Sequence, residues 1–239
     1  MSDSPIIPVR LPSTVEEYLK VFEDFISEFE KGIGSPDWKD FTMEYDKVML
    51  KHLVFLKLVK MTSFYNAAFL LARNGFVTEC YNLLRSAIEC VLAIHFVIEK
   101  YPNTTDAVGR YLGHFRSTSL LEPERAAKAD SVQIKTILEA YARGLAPNEQ
   151  EADKSIKKIY DVFSGYVHAN YPHIMEIYGG KNGNWKFHTQ GVAGIEKREE
   201  CQMMLKEILQ FGWMAFAFSS RKLSVSKVIE LTILSPEEQ

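Results

Sequence analysis

The chain has 239 residues, enough for one large hydrophobic core or two small ones. Apolar residues make up 46% and charged residues 25%, ordinary globular usage that argues against disorder. The net charge of −3, from 28 basic and 31 acidic side chains, argues against a strong global attraction to nucleic acid or an anionic membrane and leaves only a local patch.

The three cysteines, Cys80, Cys90 and Cys201, have neither CxxC nor Cys/His zinc spacing. They read as small core residues of a reduced, cytoplasmic protein. Met1-Ser2-Asp3-Ser4-Pro5 lacks the basic-then-apolar order of a secretory signal. No run reaches the roughly 18 uninterrupted apolar residues of a membrane span. Arg85, Glu89 and His95 break the best candidate, so no membrane segment is expected.

Residues 1–12 hold three prolines and read as an extended arm. Ser13 and Thr14 with Glu16 and Glu17 form a capping-box signal for a first helix, which Gly32 to Pro36 ends. Thr42 is the expected cap of a second helix, with apolar periodicity from Tyr45 to about Leu71 and a stop at Asn74-Gly75. A third helix over about 77–100 is apolar almost all round, as a central helix is. Shorter helices are expected over 104–118, 123–129 and 131–143. Asn148 or Glu149 opens another that ends near Asn170, because Pro172 disfavours helix at Tyr171. The five glycines within 179–194 predict a loop or short hairpin. A last long helix spans about 195–223. Its Phe211, Trp213, Phe216 and Phe218 occupy most of a turn, more than one face can bury, and predict a homodimer through this helix. The tail 224–239 is ambiguous between strand and helix. The reading is an all-α, single-domain bundle over 1–239.

Two segments carry the polar signal. On the third helix Arg85 and Glu89 lie four residues apart and share a face. On the later helix Tyr160, Ser164 and His168 do the same, followed by Asn170. Polar groups in apolar helices need partners, so the two helices are expected to satisfy each other in one buried cluster, Arg85, Glu89, Tyr160, Ser164, His168 and Asn170. Ser164 and His168 have the spacing of a nucleophile and its base, but a mid-helix serine lacks the exposed turn and oxyanion hole that acyl transfer needs. His168 and His173 do not share a helical face across Pro172, and no His-x-x-x-His or Glu-x-x-His occurs, so neither metal nor cofactor is expected. Lys181, Trp185, Lys186, Phe187 and His188 mix basic and aromatic groups on one loop, in the manner of a small nucleic-acid or ligand contact, although a covering loop with one buried tryptophan explains them more simply.

Leu84-Arg85-Ser86-Ala87-Ile88-Glu89 and Tyr160-(x3)-Ser164-(x3)-His168 together resemble an "LRSxxE … YxxxSxxxH" group of bacterial all-helical proteins regarded as related to the HEPN superfamily. The resemblance covers roughly residues 45–220. It implies a helical module from a defence or toxin–antitoxin setting, with RNA, a nucleotide or a protein as partner. Many HEPN proteins cut RNA with an arginine and a histidine on one helix, four to six residues between them. Here Arg110 and His114 have three between, and His168 has no arginine on its own helix. The resemblance therefore leaves two expectations. One is a non-catalytic or regulatory module whose cluster is structural or binds a small anion. The other is a metal-independent ribonuclease with His168 as general acid/base and Arg85 stabilising the charge on phosphorus.

Overall fold

The computed structural model describes residues 12–39, 42–44, 50–100, 149–179, 186–187, 189–191 and 195–223. The expected arm, the helices between 104 and 143, Trp185 and the tail lie outside the described residues. The described part is an all-α bundle. Its helices are α1 (Val15–Ile33), α2 (Leu50–Arg73), α3 (Val77–Lys100), α4 (Glu149–Val167), α5 (Tyr171–Met175) and α6 (Ile195–Leu223). Two minimal antiparallel pairs accompany them: β1 (Asp37–Lys39) with β2 (Thr42–Glu44), and β3 (Tyr178–Gly179) with β4 (Lys186–Phe187).

Local chemistry explains the helix ends. Thr14 caps α1 by accepting from the Glu17 N–H, and the Glu17 carboxylate accepts in turn from Ser13 N and Oγ. At the other end of α2, Gly75 has φ +80°. Its N–H donates to Ala72 O, and the Phe76 N–H donates to Leu71 O. That is a Schellman closure, and it turns the chain directly into α3.

Two boundaries differ from the sequence reading. Thr42 caps no helix: it pairs with Lys39, Met43 with Trp38 and Glu44 with Asp37. Only two residues separate these strands, so pairing satisfies their backbone groups before α2 begins at Leu50. The expected hairpin after residue 179 is present as β3–β4, with Tyr178 opposite Phe187 and their ring centroids 4.9 Å apart.

The core lies where α1, α2, α3 and α6 meet. In α3 every residue from Cys90 to Ile98 is buried, which matches its all-round apolar pattern. By length and composition α2 and α3 are each apolar enough to cross a membrane. In this fold most of the apolar stretch of α3 is covered by the other helices. Phe216 stacks on Phe22 at 4.5 Å, and Trp213 meets Tyr18 edge-on at 6.0 Å. Phe211 and Phe218 pack against the same core. Trp213 and Phe216 are thus covered by α1 of the same chain, while Phe211 and Phe218 stay partly buried.

Gly212 belongs to this packing. A Cβ there would stand 2.7 Å from Tyr65 Cε2, while the Tyr65 hydroxyl donates to Ile208 O at 3.2 Å. Alanine normally favours a helix interior over glycine by about 1 kcal/mol. Here the buried ring cannot yield, and overpacking costs about 1–3 kcal/mol. Gly212→Ala is expected to lower stability in urea unfolding; an increase would show that Tyr65 has room to move.

His95 is buried and stacks on Phe218 with centroids 4.3 Å apart and planes 12° from parallel. Burial pushes its pKa down to about 4 from an ordinary 6.5. The unfolded chain therefore binds the proton first as pH falls. The stability linked to neutral His95 is full above about pH 6.5 and is lost between 6.5 and 4, by about 2–4 kcal/mol. His95→Gln should flatten that part of the stability–pH curve, measured by denaturant unfolding from pH 7 to 4.5.

Candidate functional site

The polar site is built on two helices. The sequence places Tyr81, Arg85 and Glu89 at four-residue steps, so they form one stripe of α3. This stripe faces α4. At its centre Arg85 Nη2 donates to the Tyr160 hydroxyl at 2.7 Å, and that hydroxyl donates to Glu89 Oε1 at 3.0 Å. Arg85 Nη2 also lies 3.0 Å from Glu89 Oε1. The three groups close a triangle in which the guanidinium and carboxylate charges cancel. The Arg85 guanidinium carbon lies 5.1 Å from the centre of the Tyr160 ring, close enough for a cation–π contribution. Burial holds the Tyr160 phenol above its ordinary pKa, and the hydrogen bond from Arg85 pulls the other way. Arg85 Nε is buried and has no hydrogen-bond partner among the described residues.

One turn further along, an aromatic layer extends the contact. Tyr81 meets Phe163 at 5.7 Å and Tyr166 at 4.6 Å. Tyr166 meets His173 of α5 at 4.2 Å, and its hydroxyl donates to Glu176 at 2.7 Å. Burial, reinforced by the Glu176 carboxylate, pushes the Tyr166 phenol well above its ordinary range. Sequence reasoning missed this layer, although Tyr81 sits at the same four-residue step that singled out Arg85 and Glu89.

The expected six-residue cluster is therefore divided. Arg85, Glu89 and Tyr160 come together; Ser164, His168 and Asn170 do not join them. Ser164 is half-buried, and no side-chain hydrogen bond links it to the triangle. His168 is exposed and follows the end of α4, eight residues past Tyr160, which is about 12 Å along the axis. Tyr81 meets Tyr166 while Arg85 meets Tyr160, so α3 and α4 run antiparallel. His168 thus lies on the far side of the aromatic layer from Arg85. Asn170 is exposed at the reversal into α5, where its carbonyl accepts from His173 and Ile174. Ser164 and His168 do not form a nucleophile–base hydrogen bond. Among the described residues no group of three or more His, Cys, Asp or Glu side chains is placed to hold a metal ion. Of the basic and aromatic loop, Lys186 and Phe187 are exposed on β4.

No protein-family model matches the chain, and neither the curated proteins nor the solved structures provide a match.

Exposure sets the energetics of the triangle. Fully buried, a carboxylate stranded by loss of its arginine costs about 3–5 kcal/mol. The Glu89 side chain is 38% exposed and that of Arg85 19%, so water can take over much of the carboxylate's solvation. Arg85→Ala is accordingly expected to cost only about 1–2 kcal/mol, and Tyr160→Phe about 1 kcal/mol, the net value of a hydrogen bond. The double variant should cost less than the sum, because both changes break the same bonds. Additive losses in urea unfolding would show that the triangle does not act as a unit.

Proposed function

We propose that this chain is a non-catalytic, regulatory helical module of HEPN type, working in the cytoplasm in a bacterial defence or toxin–antitoxin setting through a protein or nucleotide partner. The bacterial setting rests on the resemblance of the Arg85/Glu89 and Tyr160/Ser164/His168 motifs. The non-catalytic part rests on one observation: the Arg85 guanidinium is held by Glu89 and Tyr160 within its own helix pair. A phosphodiester would have to displace Glu89 to use that charge. The histidine that would act with it is exposed and beyond the aromatic layer. The motif then serves to attach α4 to α3, and recognition belongs to other surfaces.

The test is an RNA-cleavage assay in chelator on the full chain and on Arg85→Ala and His168→Ala. The expected result is no cleavage that depends on either residue, and an unchanged melting temperature for His168→Ala. Cleavage by the parent that His168→Ala abolishes without loss of thermal stability would overturn this reading and establish a ribonuclease.

A further inference from the structure

The turn that joins α2 to α3 is Asn74-Gly75, with Asn74 exposed and Gly75 buried. Asn–Gly is the dipeptide most prone to deamidation, because glycine has no side chain to shield its nitrogen when that nitrogen attacks the asparagine amide carbon. Here both reacting groups are held. The Gly75 N–H, which would supply the nucleophile, donates to Ala72 O at 3.1 Å. The Asn74 side-chain amide, the electrophile, donates through Nδ2 to Leu70 O at 2.8 Å, which turns it back along α2 and away from Gly75. The Phe76 N–H donates to Leu71 O at 2.9 Å and fixes the peptide that follows.

A third restraint comes from far along the sequence. The turn at Thr189 and Gln190 brings Gly191, with φ +88°, onto this same corner. A Cβ on Gly191 would stand 2.4 Å from Asn74 O, 3.2 Å from Gly75 C and 3.4 Å from Asn74 C. Backbone thus lies against backbone at the peptide that must rotate for the reaction. Glycine allows both the positive φ and the close approach.

We propose that Asn74 is a latent deamidation site, held closed by the Gly191 contact and the bonds of the α2–α3 turn, and converted to a carboxylate in chains whose turn has opened. In the first step Gly75 N attacks Asn74 Cγ. The N–C bond forms, the Cγ–Nδ2 bond breaks, and ammonia leaves with the proton that Gly75 N gave up. In the second step water adds to one of the two carbonyls of the succinimide ring. The ring C–N bond breaks, its nitrogen regains a proton, and the new carboxyl group ionises. Attack at one carbonyl gives aspartate, at the other isoaspartate. One water is consumed and one ammonia released, with no change of oxidation state.

Opening of the turn sets the rate, since the exposed side chain of Asn74 is already within reach of water. Either product works against reclosure. A carboxylate has no donor for Leu70 O and sits at the negative end of the α2 macrodipole. Isoaspartate also routes the backbone through Cβ, and the added methylene puts the bonds to Ala72 O and Leu71 O out of register. A single opening is thereby recorded permanently at the corner that sets α3 against α2.

The experiment keeps the folded full chain, and the same chain in urea, in mildly alkaline buffer for several days. Peptide mapping reads aspartate and isoaspartate at residue 74, with Asn182-Gly183, the other Asn–Gly of the sequence, mapped separately. Conversion at residue 74 is expected to be slower in the folded chain by about tenfold or more. A Gly191→Ala variant, shown to be folded by circular dichroism, should convert several-fold faster than the parent, and Asn74→Asp should have a lower urea midpoint. Conversion of the folded parent at the rate seen in urea would overturn the proposal. So would a folded Gly191→Ala variant that keeps the parent's rate, or an Asn74→Asp chain as stable as the parent. The comparison of folded and urea-treated parent decides even if Gly191→Ala fails to fold.

Discussion

The bundle depends on one constraint, the burial of α3 on nearly all sides. From Cys90 to Ile98 no residue of this helix reaches solvent appreciably. Val91, Leu92, Ile94, Phe96, Val97 and Ile98 together represent on the order of 10 kcal/mol of hydrophobic stabilisation. No single neighbour can cover such a helix. α2 folds back along it through the tight Gly75 turn, α6 covers a second side, and α4 a third. The aromatic interlock of α1 with α6 then closes the core around α2. His95 shows the effect of this enclosure: burial disfavours its charged form and lowers its pKa to about 4.

The face toward α4 is the exception to this apolar rule. Among the described helices α4 packs mainly on α3, and it does so with a polar triangle and an aromatic layer instead of a leucine seam. A neutral, internally bonded triangle suits a helix that must dock in one register. Arg85 satisfies Tyr160 and Glu89 only when Tyr160 is level with them. An apolar seam would tolerate sliding by a turn, whereas the triangle would lose its hydrogen bonds. The half-exposed position of Glu89 keeps the stabilisation modest, so the triangle contributes specificity of docking more than strength.

The helices were legible because each carries its own signal: a capping box at Ser13–Glu17, a glycine stop at Gly75, and apolar periodicity between such marks. The β1–β2 pair was not legible. Its strands have three residues each, and the Asp40-Phe41 link is not one of the usual hairpin dipeptides. Thr42 looked like a cap because caps and strands favour the same residue. At the site, the four-residue steps correctly put Arg85, Glu89 and Tyr160 together. They misled for His168, because a shared helical face says nothing about how far along the axis the partner helix's groups lie. The apolar pattern of α6 likewise does not show which part of the chain covers Trp213 and Phe216, here α1.

The placement of His168 outside the triangle follows from how α4 ends. The Asn170 N–H donates to Gly165 O and the Ala169 N–H to Tyr166 O, again a Schellman closure. Ala169 takes φ 49° there, a left-handed conformation that costs a non-glycine residue about 1 kcal/mol. The reversal places Pro172 in the first turn of α5, where its missing N–H does no harm. It also swings His173 back over Gly165, at which any Cβ would overlap the imidazole ring. His173 can therefore pack on the α4 backbone and against Tyr166, completing the aromatic layer. The same turn leaves His168 at its outer edge, facing water. The histidine of the motif is exposed, and it is the next histidine, His173, that packs beside Tyr166. A change that relaxed the turn would disturb the aromatic layer before it brought His168 any closer to Arg85.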